Sequence, residues 1–126
     1  MSEGDRVVLV VPSREEFART VRIVAAELAS RVGMDIDGID DVRLAVEEAF
    51  VFGNEHAAGS DLEFAFTLAE GAVQLSVGPL KADCVSDEAP DQGERYARFI
   101  LESICDEFDI EVTDGVCRLR LVKMAG

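Results

Sequence analysis

The stretch "AVEEAFVFGNEHA", residues 45–57, concentrates the residue types that could do chemistry. Glu47 and Glu48 offer carboxylates, His56 is the only histidine of the chain, and Asn54 is an amide close by. A carboxylate can take a proton from an attacking hydroxyl or water, and an imidazole can orient or bind an anionic ligand. Glu48, Phe52 and His56 follow one another at steps of four, so on a helix they form one slowly drifting stripe. The stripe borders an apolar face at Ala45 and Ala49, where a pocket wall would stand. Its middle position is a phenylalanine, which has no lone pair for a metal.

These residues sit on the second of three helices expected from the sequence. A first strand is expected at residues 5–11, "DRVVLVV", and Ser13 with Glu16 has the spacing of a capping box for the helix that follows. Phe17, Val21, Val24, Leu28 and Val32 recur at helical spacing, and Gly33 suits a C-cap. The second helix is expected from about Ile39 to His56, with Asp37 as N-cap and an inner face of Val42, Ala45, Val46, Ala49 and Gly53. "LEFAFTLA" and "AVQLSV" alternate around "EG" as a hairpin. Residues 78–92 read as a long acidic loop. A third helix to about Glu107 carries Tyr96, Phe99, Ile100, Ser103 and Ile104 on one face. "FDIEV", a "TDG" turn and "CRLRLVK" close the chain as a second hairpin. The order β-α-α-β-β-α-β-β predicts one domain over residues 1–126. Its fold class is α/β (α+β): a two-layer sandwich with a mixed, mostly antiparallel sheet and helices on one face.

The net charge of −14 over 126 residues argues against direct nucleic-acid binding and against an anionic membrane surface, since both would repel the chain. A basic protein is a natural complement, and service to solubility alone is the alternative. No run is apolar and long enough to span a bilayer, no signal pattern opens the chain, and three cysteines without metal spacing suit reduced thiols in the cytoplasm.

"GMDIDGIDDVRLAVEEAFVFGNEHA" resembles the corresponding segment of bacterial anti-sigma factors of the serine-kinase type, which have the histidine-kinase-like (GHKL) ATPase fold. The resemblance extends to "SREEFARTVRIVAAELASRVG", to "FILESICDEFDIEV" and to chain length. In that family a Glu, an Asn and a His stand four residues apart. The resemblance makes Glu48 the general base, if the protein is active, and His56 a nucleotide-side residue. Phe52 takes the place of the asparagine that holds Mg²⁺, so no metal ligand is expected there. Asn54 lies on another face of the helix and does not substitute. The family's Asp-x-Gly turn is missing: "VQLSV" runs into "GPLKAD", with Pro79 near the expected aspartate. Its Gly-x-Gly before the third helix is met by Arg95 and Ala97, or by Gly93 and Arg95. Between Arg43 and Arg95 the one basic residue is Lys81, against eleven acidic ones.

The resemblance therefore implies an anti-sigma-like regulator, a pseudokinase with ATP binding lost or weakened and no cofactor. Its implied partners are a sigma factor or an anti-sigma antagonist, and it is implied to pair as a homodimer. The alternative is an active ATP- and Mg²⁺-dependent serine-protein kinase; a further possibility is an emptied pocket that takes another small ligand. Arg14, Arg19, Arg22 and Arg31 of the first helix are available to an acidic partner, but read first as a solvated face.

Overall fold

The computed structural model describes residues 4–85 and 92–126. Strand β1 (Asp5–Pro12) leads through a short 3-10 turn at Glu15–Phe17 into helix α1 (Ala18–Arg31). Helix α2 (Ile36–His56) follows, then the hairpin of β2 (Asp61–Ala69) and β3 (Ala72–Leu80). A second 3-10 turn (Ala82–Val85), helix α3 (Gln92–Ile104) and the hairpin of β4 (Glu107–Thr113) and β5 (Val116–Met124) complete the chain.

The five strands lie in the order β1-β2-β3-β5-β4. Every pairing is antiparallel, so the mixed sheet expected from the sequence is antiparallel throughout. Alternation sorts the side chains. Leu62, Phe64, Phe66 and Leu68 of β2 face the helices with Val73, Leu75 and Val77 of β3 and Leu119 and Leu121 of β5, and all are buried. The helices cover that face alone. Burial of a phenylalanine or leucine in such a layer contributes about 1.5–3 kcal/mol each, which makes this face the main store of stability.

Local chemistry explains the ends of the elements. Gly33, with φ +89°, terminates α1, where its N–H and that of Met34 bond back to Ser30 O and Ala29 O at 3.1 and 3.2 Å. In the β4–β5 turn Asp114 and Gly115 both have positive φ, as an Asp-Gly hairpin turn requires. Three expectations are corrected here. Asp35, not Asp37, caps α2, its Oδ1 accepting the Gly38 N–H at 2.8 Å, so the helix starts at Ile36. The Ser13–Glu16 capping box does not form: Ser13 Oγ donates to Asn54 Oδ1 at 2.6 Å, and Glu16 lies 3.6 Å from the Arg14 guanidinium. Gly78–Leu80 extends β3 instead of opening a loop, with a register irregularity against β5 that accommodates Pro79. The rest of that acidic loop includes residues 86–91, outside the described residues.

Helix α3 departs most from its pattern. Ala97 and Leu101 are fully buried, whereas Tyr96 is 58% and Phe99 64% exposed, and Ser103 is also exposed. The helix ends at Ile104, short of Glu107. Both stripes of α3 carry apolar residues, and the one with the smaller side chains packs inward. Alanine at the contact lets two helix axes approach closely, so α3 lies against α2 through Ala97 while its aromatics stay outside.

Among the described residues no helix is long and apolar enough to cross a membrane. The three cysteines are free; Cys84 and Cys117 are buried, and the Cys105 thiol is pushed up to about 11 by burial.

Candidate functional site

The stripe on α2 is more deeply buried than its border position suggests. Glu48 is 9% exposed, Phe52 is fully buried, and the His56 side chain is 13% exposed. The C-terminal end of α2 is fixed to the end of β3. His56 O accepts from Lys81 N–H at 2.8 Å, and Ala58 N–H donates to Pro79 O at 3.0 Å. This tie holds the imidazole where the second 3-10 turn and α3 converge on it.

Three residues not anticipated from the sequence surround the stripe. Glu94, at the start of α3, accepts a hydrogen bond from His56 Nε2 at 2.8 Å, with its side chain 10% exposed. Asp83 approaches the other ring nitrogen, Nδ1, at 3.6 Å. Arg98, one turn beyond Glu94, places its guanidinium 5.7 Å from the centre of the Phe52 ring. The Phe52 and His56 rings lie 4.7 Å apart, tilted by 43°. Phe52 is thus enclosed by α3 above, His56 beside it and the sheet core beneath. A signal for Glu94 was present in the helical phase: it shares a face with Ala97 and Leu101, three and seven residues on.

Magnesium needs oxygen ligands in near-octahedral order. A buried phenyl ring at the centre of the stripe supplies none. The middle of the stripe therefore does not fit a magnesium–triphosphate complex. Asn54 is exposed and bonded to Ser13, away from the stripe. Arg95 is exposed and Ala97 is buried against α2, so neither is arranged as an open glycine loop. Clefts of about 600 and 280 Å³ lie elsewhere, one between β1 and α1 and one between α2 and the start of α1.

Glu48 has no hydrogen bond or ion pair among the described residues. Its carboxyl is held above the usual glutamate range, first by burial and second by the neighbouring Glu47 charge. Glu47 itself pairs with Arg22 at 3.3 Å. A raised pKa means the native state holds the Glu48 proton more tightly than the unfolded chain. Stability on this account falls as pH rises from the unfolded value near 4.5 through the folded one. Glu48→Gln removes that loss. It is expected to raise Tm at pH 8, with the gain shrinking towards zero at pH 4, as thermal melts across that range would record.

The basic residues of α1 and its approach are engaged within the chain. Arg14 stacks over Phe17, Arg22 meets Glu47, and Arg31 pairs with Glu27. Arg19 is exposed.

An antiparallel sheet covered on one face by helices, with a long glutamate- and histidine-bearing helix across it, defines the ATPase fold of histidine kinases. The chain belongs to the histidine kinase-like ATPase domain family, whose profile matches residues 11–123. Among curated relatives, the serine-protein kinase RsbW of Halalkalibacterium halodurans is 23% identical over 90% of this chain and 80% of its own length. The RsbW kinase of Bacillus licheniformis is 22% identical over 90% of this chain and 82% of its own. Of solved structures, that of the RsbU and RsbW domains of Rv1364c from Mycobacterium tuberculosis superposes with a TM-score of 0.67 at 21% identity. It covers 95% of this chain, which spans only 32% of that one. The histidine kinase domain from Erythrobacter litoralis EL346 gives a TM-score of 0.52 at 12% identity, over 98% of this chain and 64% of the other. These two likenesses bear on the fold.

Proposed function

We propose that this protein is an anti-sigma-like regulator that works by binding another protein, with ATP binding lost or much weakened. The partner is a sigma factor or an anti-sigma antagonist, met in the cytoplasm, and no nucleic acid is bound directly. Two copies pair in the same scheme, a point that light scattering of the purified protein reads. Kinship with RsbW kinases supports the class of partner. The net charge of −14 supports a basic surface on it. The observation that carries the loss of ATP is Phe52, buried where the stripe would need a metal-chelating amide.

The experiment is a calorimetric titration with ATP and Mg²⁺, beside capture of candidate sigma factors and antagonists. The expected result is no saturable heat at micromolar nucleotide together with retention of one partner. Mg²⁺-dependent micromolar binding would overturn the reading.

That outcome would favour an active serine-protein kinase, a second reading supported by the relatives' name and by Glu48, a carboxylate whose proton affinity is raised by burial and by the Glu47 charge. In it Glu48 would take the serine hydroxyl proton.

A further inference from the structure

The two free edges of the sheet are built differently. Along β4, Glu107, Asp109 and Glu111 are exposed carboxylates at alternate positions, and they discourage another strand from pairing there. The β1 edge, "DRVVLVVP", has only aliphatic residues between Arg6 and Pro12. Its hydrogen-bond phase is fixed by Ser13 N–H, which donates to Ser60 O at 2.8 Å. Antiparallel pairs alternate, so Val7, Leu9 and Val11 exchange bonds with β2 while the amides of Arg6, Val8 and Val10 point away from the sheet. The side chains of Val8 and Val10 are 45% and 57% exposed on the sheet's uncovered face.

The space beside this edge is open as well. Helix α1 leaves a cleft of about 600 Å³ floored by Val7, Val24, Leu28 and Leu68, with Glu27 and Arg31 paired at its rim. An added strand would therefore meet apolar surface through both faces of its middle. One of its ends would meet acid. Asp61, opposite Pro12, and Glu15 stand there, and neither makes an ion pair among the described residues, whereas Asp5 at the other end stands beside exposed Arg6.

We propose that β1 is a docking edge, which takes an extended segment of a basic partner protein as an added strand. The segment is uncharged and largely apolar through its middle and carries lysine or arginine at the end that meets Asp61 and Glu15. Backbone bonds to Arg6, Val8 and Val10 give the pairing, the cleft takes alternate side chains, and those two carboxylates select the charge. A second copy of this chain fits this edge less well, because its own β1 in antiparallel pairing would set Asp5 against Asp61 and Glu15.

The probe is a synthetic peptide, Lys-Lys-Val-Thr-Val-Thr-Val-Lys-Lys, followed by amide hydrogen exchange in the intact protein. The expected result is slowed exchange at Val8 and Val10. Binding should weaken about tenfold or more when glutamate replaces the terminal lysines, and also when proline replaces the threonines. Val8→Pro removes an outward amide without touching the β2 ladder and is expected to abolish protection. Should it fail to fold, Val10→Lys, which sets a cation against the basic peptide, serves the same purpose. Unchanged exchange would overturn the proposal, as would equal binding of the acidic peptide. Protection that grows with protein concentration alone would do so too, by placing a second copy on the edge. The proposal rests on the reading of this protein as a protein-binding module. Partner capture without β1 protection would remove edge docking and leave that reading intact, whereas micromolar ATP binding would strike that reading alone.

Discussion

Phe52→Ala is expected to destabilise the protein by about 3–5 kcal/mol, the usual range for truncating a buried phenylalanine. For a domain of this size that lowers Tm by about 10–20 °C. The ring is fully buried, lies against His56, and carries Arg98 on its face, so its loss leaves a cavity bounded by two polar side chains. Urea unfolding measures the effect directly. Phe52→Asn tests the functional half of the same argument. It restores the shape of a metal position while removing the packing. We expect a comparable loss of stability and still no Mg²⁺-dependent ATP binding, because neither register before α3, Arg95 with Ala97 or Gly93 with Arg95, supplies both glycines that the resemblance implies for a phosphate loop. A variant that bound ATP would reveal a site closed by one ring alone.

Glu94→Ala is the second large effect, with an expected loss of about 2–3 kcal/mol. Both partners of the His56–Glu94 hydrogen bond are nearly buried, so cutting it strands the imidazole and leaves Asp83, at 3.6 Å, as its nearest carboxylate. Glu94 also fastens the N-terminal turn of α3 to α2; beyond it Ala97 and Leu101 are buried and Arg98 covers the Phe52 ring. Amide exchange should therefore speed up more in α3 than in α1. An even loss of protection across both helices would mean that α3 is not separately held.

Helix α2 was legible because its period is clean over about three turns: Val42, Ala45, Val46, Ala49 and Gly53 are all buried as spacing requires. The terminal hairpin was legible for a similar reason, since Asp-Gly admits few turns. Helix α3 was not. Its stripe of Tyr96 and Phe99 is the more hydrophobic one, and the choice of the opposite stripe follows from what α2 presents, which no single segment encodes. The same reason hid Glu94. A glutamate near a helix start looks like a solvated end-of-helix charge until the histidine from 38 residues earlier is placed beside it. Pro79 misled in another way, since proline reads as a strand breaker but is tolerated where ladder register already shifts. The stripe itself, Glu48, Phe52 and His56, could be placed from spacing, but its depth could not.

The outward position of Tyr96 gives the molecule an optical property. The chain has one tyrosine and no tryptophan, so ultraviolet emission above the phenylalanine band arises from a single ring. That ring rides on α3, two residues from Glu94 and 58% open to solvent. Its emission and its quenching by a neutral solute such as acrylamide report the docking of one helix, with no label attached.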